Sequence, residues 1–254
     1  MQNDLNSLTS WYDNNKLSIN IDKTKVMLLS PSSSFHMNIF IKDKKIEQVD
    51  NIRYLGVVID SKLNWNLHVQ NLAKLLAKKL FALRKMSPFL DLNLLNLMYK
   101  TIIQPNFDYS CSVWGNCSMK NKQILTRLQK RAARIVTNNF DYESTDGLDI
   151  VQSLKWQSFE QRRDYFLALL MYTCIHGLAP TRMCNSIEMN FDRHGFNTRA
   201  SDSFNVVLPK PNLECFKQSF MYAGGKLWNT LSHAVQNSTS IISFKCLCKK
   251  VLFN

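Results

Sequence analysis

The sequence predicts a mainly helical α+β protein in which a small, mainly antiparallel sheet precedes two helical regions. Before residue 65, apolar residues alternate with polar ones or form short β-branched runs, which is typical of strands. After residue 65, apolar residues recur every three or four positions, as in amphipathic helices. A chain of 254 residues, 45% of them hydrophobic, can also bury a sizeable core. We therefore predict three parts, which are residues 1–65, 66–140 and 141–254.

The first part should contain one helix and several short strands. The expected elements are a helix over Asp4–Asn14, strand segments over Lys16–Ser30, and a hairpin formed by Phe35–Ile41 and Lys45–Ile59. Within the last stretch, Tyr54–Ile59 is apolar and rich in β-branched residues, which indicates a buried strand interrupted by Gly56. Such a strand is common in protein cores and establishes no function by itself.

The remaining parts should be helical. Val69, Leu72, Leu76, Leu80 and Leu83 are spaced as one face of a long helix that starts near Trp65 and ends at Ser87. The further expected helices are Leu92–Ile103, stopped by Pro105, then Met119–Asn139, Leu154–His176, Phe216–Leu231 and Ser243–Phe253. An acidic linker over Asp141–Asp149 should connect the second part to the third.

Positive charge is concentrated in the second part. The chain carries a net charge of +13, and residues 66–140 contribute twelve Lys and Arg against two Asp and Glu, a net +10. A local excess of this size favours a polyanionic partner over a general role in solubility. The alternative is a basic face that is merely solvated.

Two predicted helices carry this charge on one side. Lys74, Lys78 and Lys85 should project away from the apolar face of the first long helix. On the helix Met119–Asn139, the candidate phosphate-binding residues lie within an arc of about 100°; they are Lys120, Arg127, Lys130, Arg131 and Arg134. No acid occurs between Tyr109 and Phe140, so this helix lacks the oppositely charged pairs typical of a solvated surface.

The cysteines and the apolar runs argue against other classes of protein. Seven scattered cysteines without Cys-x-x-Cys pairs favour buried thiols in a reducing compartment over a disulfide framework or a zinc site. The longest apolar run, Tyr165–Ile175, is too short to span a bilayer. We therefore expect an intracellular protein, cytoplasmic or nuclear, without a membrane partner.

Several short motifs occur in a characteristic order along the chain. They are Asn20 with Lys23 and Thr24; Tyr54, Leu55, Gly56, Val57, Ile59 and Asp60 followed by Leu63, Trp65 and His68; Tyr99 with Pro105 and Tyr109; Trp114 with Gly115; Leu128–Ile135; and His194, Asn197, Thr198 and Arg199. Each motif is weak alone, but their order resembles reverse transcriptases of non-LTR (LINE-type) retrotransposons over nearly the whole chain. The resemblance implies that residues 1–65 correspond to the end of the palm, 66–140 to the thumb and 141–254 to the C-terminal region.

The resemblance also implies roles for particular residues. Tyr54, Leu55 and Gly56 would belong to the primer grip, and the basic helices would bind an RNA or RNA/DNA template–primer duplex. Lys23, with Lys25 as a second candidate, would protonate the leaving pyrophosphate, because a cation beside a leaving phosphate stabilises charge and can donate a proton. A surface lysine in a turn is an equally good interpretation of either position.

One element of a polymerase is missing from these 254 residues. Reverse transcriptases hold two metal ions through palm aspartates, including an adjacent pair, and this sequence contains no Asp-Asp pair. We therefore expect a truncated, inactive fragment that binds no cofactor, with Mg²⁺ needed only in a complete polymerase that also has the upstream palm and fingers. Primer extension by this chain alone should be absent. The alternative is a host-adapted or passive protein-interaction module that keeps the fold.

Overall fold

The computed structural model describes residues 1–29, 35–190 and 204–253, and the chain divides into two compact units, residues 1–68 and 69–254. The α-helices are α1 (Gln2–Asn14), α2 (Asn66–Met86), α3 (Leu92–Met98), α4 (Gln104–Asp108), α5 (Cys111–Trp114), α6 (Met119–Thr137), α7 (Gly147–Ser153), α8 (Phe159–Ile175), α9 (Thr181–Cys184), α10 (Glu214–Lys217), α11 (Phe220–Trp228), α12 (His233–Gln236) and α13 (Ile241–Leu252). The predicted mainly helical α+β class is confirmed. The predicted division at residue 140 stays a prediction.

In the described residues the strands all lie in the first unit and are short. They are β1 (Lys25–Val26), β2 (Phe40–Ile41), β3 (Lys44–Lys45), β4 (Glu47–Gln48), β5 (Asn51–Tyr54) and β6 (Val57–Asp60). Within the described residues they form three separate pairs instead of one sheet: β1 with β4 is parallel, whereas β2 with β3 and β5 with β6 are antiparallel. The two antiparallel pairs are short hairpins, in which each strand has two to four residues and pairs with its neighbour in the sequence.

The prediction of a continuous strand over Tyr54–Ile59 is wrong. Tyr54 ends β5, Leu55 and Gly56 form the turn, and β6 starts at Val57. Leu55 and Gly56 have φ angles of 45° and 86°, so both central residues are left-handed, as a two-residue type I′ hairpin turn requires. The glycine therefore marks a turn where we expected a close backbone approach within a strand.

A single carboxylate organises the connection from β6 to α2. Asp60 accepts hydrogen bonds from the backbone N–H groups of Lys62, Asn64 and Trp65, at 3.1, 3.2 and 3.0 Å. The Trp65 side chain is buried, and Nδ1 of the buried His68 accepts a hydrogen bond of 3.3 Å from the Val58 backbone. Burial lowers the pKa of His68, which favours the neutral imidazole that this bond needs. These motif residues thus have a structural role in the connection.

The predicted helix Leu92–Ile103 is interrupted, and Pro105 does not stop it. After α3 the backbone forms a π-helix over Tyr99–Ile103 and continues directly as α4. Pro105 lies in the first turn of α4, a position that proline commonly occupies, and the π-helix precedes it directly. A sequence rule that places every proline after a helix fails at such a junction.

The core of the second unit forms where α8 packs against α5, α11 and α13. Trp228 and Phe244 are fully buried there, with ring centroids 5.9 Å apart, and Phe244 also stacks on Tyr172 at 4.4 Å.

The observed helix α8 is shorter than the predicted helix Leu154–His176, because Ser158 caps its N-terminus through a capping box. The expected linker Asp141–Asp149 is also wrong at its end, since α7 begins at Gly147.

In the described parts of the chain, no helix has the length and apolar character needed to cross a membrane. The same residues contain no group of three or more His, Cys, Asp or Glu side chains placed to hold a metal ion. Burial raises the pKa of the Cys111 thiol to about 12 and that of Cys117 to about 11, so both thiols stay protonated at neutral pH. His194, Asn197, Thr198 and Arg199 lie outside the described residues.

Candidate nucleic-acid interface

Helix α6 carries the largest group of predicted phosphate-binding residues. It begins after Ser118, whose hydroxyl accepts a hydrogen bond from the Asn121 backbone, and ends at Asn138 in the left-handed conformation. Its apolar face buries Leu125, Ala132 and Ile135. The helix approaches α7 so closely that a Cβ on Gly147 would lie 2.8 Å from the Cβ of Lys130. Packing on both sides therefore fixes the direction in which the remaining face points.

The exposed face of α6 presents cations that have no ionic partner. Lys120, Arg127 and Arg131 are exposed, and none of them forms a hydrogen bond or an ion pair within the described residues. Arg127 and Arg131 are four residues apart, so they lie one turn apart on the same side of the helix. Like charges at this spacing repel each other, and an anion bound between them would relieve that repulsion.

Lys130 has a partner inside the protein. Its Nζ atom lies 2.7 Å from Oδ1 of Asp146, which also caps the N-terminus of α7. The hydrogen bond from Lys130 lowers the pKa of the Asp146 carboxyl. Lys130 therefore ties α6 to the start of α7, and its charge is compensated.

Arg134 is not on the exposed face, which corrects the prediction from helical spacing. Its side chain is buried, and Nη1 donates hydrogen bonds to the carbonyl oxygens of Asn139 and Asp141, at 3.3 and 2.6 Å. Nη2 donates to the carbonyl oxygen of Thr145 at 2.6 Å. The guanidinium thus holds the loop between α6 and α7. A phosphate could reach this guanidinium only after the loop opened.

The predicted lysines of α2 are all exposed. Lys74 and Lys78 have no partner within the described residues, and the Nζ atom of Lys85 lies 5.6 Å from the ring centroid of Phe81. Lys79, which we did not predict, instead reaches α4, where Nζ donates to Oδ1 of Asn106 at 2.9 Å. Lys74, Lys78 and Lys85 therefore form a basic face on α2 that remains open to solvent.

The candidate residues of the first unit have different surroundings. Lys23 is exposed at the end of a 3₁₀ helix, whereas Lys25 forms an ion pair with Glu47 across the β1–β4 pair. Tyr54 and Leu55 are 62% and 73% exposed at the tip of the β5–β6 hairpin, next to Gly56. Large apolar side chains at a hairpin tip bury little surface within their own unit, so this tip can contact a partner.

Replacing Leu55 with Asn should raise the free energy of unfolding by about 0.5 to 1 kcal/mol, measured by urea denaturation. A left-handed conformation costs a branched residue roughly 1–2 kcal/mol, and Asn tolerates it better. Leu55→Ala is the matched control, because it also removes the exposed apolar side chain but keeps most of the strain. Equal stabilisation by both substitutions would show that the turn conformation is not the cause.

Comparison with known proteins supports the class of protein that the motifs indicate. The chain is similar to an RNA-directed DNA polymerase, and the predicted resemblance to the reverse transcriptases of non-LTR elements is confirmed. The relative is described as a probable RNA-directed DNA polymerase from transposon X-element of Drosophila melanogaster, and it is 26% identical over 133 residues. The match covers 51% of this chain and 14% of the relative. No family model matches the chain. No solved structure matches it either.

One exposed aromatic residue near these cations was missed by the sequence analysis. Tyr142 lies in the loop after α6, and the Cζ atom of Arg134 lies 4.2 Å from its ring centroid. The sequence predicts an acidic linker here, because Asp141, Glu143 and Asp146 dominate its composition. The tyrosine beside a basic helix was the available signal, since aromatic side chains interleaved with cations are typical of nucleic-acid-binding surfaces.

Proposed function

We propose that this chain is a nucleic-acid-binding part of a reverse transcriptase and that the exposed face of α6 binds the phosphate backbone of an RNA or RNA/DNA template–primer duplex. The observation that carries the proposal is the pair Arg127 and Arg131, which are exposed, one turn apart and without a carboxylate partner in the described residues. Lys120 on the same helix would add positive charge to this face, and Lys74, Lys78 and Lys85 on α2 would supply further phosphate contacts.

The proposal is limited to binding. Two-metal polymerisation needs carboxylates that hold both ions, and the 254 residues contain no adjacent pair of aspartates. Mg²⁺ and the catalytic aspartates would belong to the palm of a complete enzyme. Lys23 would act there as the general acid, since it is exposed, whereas Lys25 is engaged with Glu47. Tyr54, Leu55 and Gly56 would contact the primer strand from the hairpin tip.

The test is equilibrium binding of a fluorescent RNA/DNA duplex to the wild-type chain and to Arg127→Gln/Arg131→Gln. Each phosphate contact contributes about 0.7 to 0.9 units of log K at 0.1 M salt, so losing two should weaken binding about 25- to 60-fold. Gln preserves helix propensity, and circular dichroism checks that α6 is intact.

The matched control is Lys245→Gln/Lys250→Gln, which removes the same charge from two exposed lysines of α13 in the same unit. This control should weaken binding less than threefold. A wild-type chain that does not bind the duplex, or equal losses in the two double variants, would refute a specific role of α6.

A second candidate function is docking of another protein. The observation that favours it is a row of exposed apolar side chains on α3 and the turn before it, namely Phe89, Leu92, Leu94 and Leu97, which are 85%, 52%, 48% and 56% exposed. Exposed apolar patches of this kind commonly mark interfaces. If docking is the function, Arg127→Gln/Arg131→Gln and Lys245→Gln/Lys250→Gln should not differ in their affinity for the RNA/DNA duplex.

A further inference from the structure

A concave basic surface lies between α6 and the loop that follows it. Its volume is about 560 Å³, and Arg127, Arg131 and Tyr142 are among the residues that line it. Sites for small ligands commonly have volumes of about 300 to 1,000 Å³, so the cavity can hold a group as large as one nucleotide. All of its lining residues belong to the second unit.

The charges around the cavity favour an anion. Four cations line it, Arg127, Lys130, Arg131 and Arg134, against the two carboxylates Glu143 and Asp146, which leaves a net charge of +2. Asp146 is already paired with Lys130. The Arg134 guanidinium donates its hydrogen bonds to carbonyl oxygens, which carry no formal charge.

Tyr142 supplies a second kind of contact. Its side chain is 71% exposed although one ring face lies against the Arg134 guanidinium, so the opposite face is open to solvent. Three hydrogen bonds to the loop backbone fix the guanidinium, and the guanidinium in turn orients the ring. An oriented aromatic ring beside cations provides stacking for a base and ionic contacts for its phosphate.

We propose that this cavity binds one unpaired nucleotide of a single-stranded RNA or DNA, with its base stacked on Tyr142 and with Arg127 and Arg131 holding the phosphates where this nucleotide joins the duplex. The inference rests on the proposed function and extends it, because a base inside a duplex is already stacked on its neighbours and offers no free face. A strand extending from the end of the bound duplex therefore fits this site, and the site is indifferent to base identity.

The test compares the wild-type chain with Tyr142→Ala and Tyr142→Phe. The probes are a fluorescent twelve-nucleotide oligouridylate and a blunt RNA/DNA duplex. Tyr142→Ala should weaken oligouridylate binding about 5- to 150-fold and leave duplex binding unchanged within about twofold. Tyr142→Phe keeps the aromatic ring and should bind both probes like the wild type. The salt dependence should not change in either variant, since neither removes a charge.

A second measurement needs no substitution at the site. Oligouridylate carrying 5-iodouracil, irradiated on the wild-type chain and analysed by mass spectrometry, should attach to Tyr142. Unchanged oligouridylate binding by Tyr142→Ala, or adducts elsewhere in the chain without one on Tyr142, would overturn the inference. Either result leaves the duplex binding of α6 untouched, whereas a wild-type chain that binds neither probe refutes the proposed function as well.

Discussion

Replacing Arg134 with Gln should lower the free energy of unfolding by about 3 kcal/mol, which is the first of two large effects that we expect. The buried guanidinium donates to three carbonyl oxygens of the α6–α7 loop. One hydrogen bond from a charged group contributes about 1.5–3 kcal/mol. The contributions of bonds in one network do not add fully. Gln is too short and has too few donors to satisfy all three acceptors. The loop from Asn139 to Thr145 should also become sensitive to proteolysis.

The measurement is urea denaturation followed by circular dichroism, with Arg131→Gln as the matched control. Arg131 lies on the same helix and carries the same charge, but it is exposed and unpaired, so its substitution should change stability by less than about 0.5 kcal/mol. Equal midpoints for the two variants would contradict the structural role of Arg134. The pair of variants thus separates the residue that holds the loop from a residue available to a ligand.

Replacing Gln129 with Leu should destabilise the second unit by about 3 kcal/mol or more. The Gln129 side chain is buried, and its Nε2 donates to Oη of Tyr99 at 3.1 Å and to the carbonyl oxygen of Gln157 at 2.8 Å. Its Oε1 accepts a hydrogen bond from the Phe159 backbone at 3.0 Å. Leucine fills a similar volume but leaves two buried groups, Oη of Tyr99 and the N–H of Phe159, and the half-buried Gln157 carbonyl without this partner. Each buried group left unpaired costs about 1–3 kcal/mol.

The matched control is Gln123→Leu, an exposed position on the same helix, where the same chemical change should alter stability by less than about 0.5 kcal/mol. Thermal unfolding of both variants beside the wild type provides the comparison. A Gln129→Leu protein as stable as Gln123→Leu would mean that the three hydrogen bonds contribute nothing to the packing of α6 against α8.

Helical periodicity predicted α2 and α6 well, because both are long and bury one continuous apolar face. The limits predicted for α6 differ from those observed only at its C-terminal end, and its apolar face buries Leu125, Ala132 and Ile135. Periodicity could not show that Gln129 and Arg134 are also buried. Their burial depends on partners outside the helix, in the loop that follows α6 for Arg134 and in α8 for Gln129, so the periodicity of α6 does not encode it.

The short strands were harder to predict for a related reason. The apolar run Tyr54–Ile59 has the composition of one strand, and only the left-handed backbone at Leu55 and Gly56 converts it into a turn. Leucine is uncommon in that conformation, so the sequence lacked the Asn-Gly or Asp-Gly signal of such turns. The π-helix over Tyr99–Ile103 is a similar case, since its apolar residues Tyr99 and Ile103 are buried as they would be in an α-helix, and their spacing does not distinguish the two.

The nucleic-acid-binding role of the predicted residues stays a prediction. Much of the excess positive charge over residues 66–140 lies on α2 and α6, and Lys120, Arg127 and Arg131 are exposed and unpaired in the described structure. The same charge count could not separate these residues from Lys130 and Arg134, which are occupied within the protein. The position of Tyr142 beside Arg134 could not be predicted from the charge pattern, because it follows from the fold of the loop.

The salt dependence of duplex binding tests the central claim most directly, because only charges that displace counterions from the nucleic acid alter it. Log K should be measured against log salt for the wild-type chain, Arg127→Gln/Arg131→Gln and Lys245→Gln/Lys250→Gln. We predict that the slope of the α6 variant is shallower than that of the wild type by about 1.4 to 1.8 units, the sum of two phosphate contacts, and that the α13 variant keeps the wild-type slope. A folded α6 variant with an unaltered slope would show that Arg127 and Arg131 are merely solvated and would contradict the account.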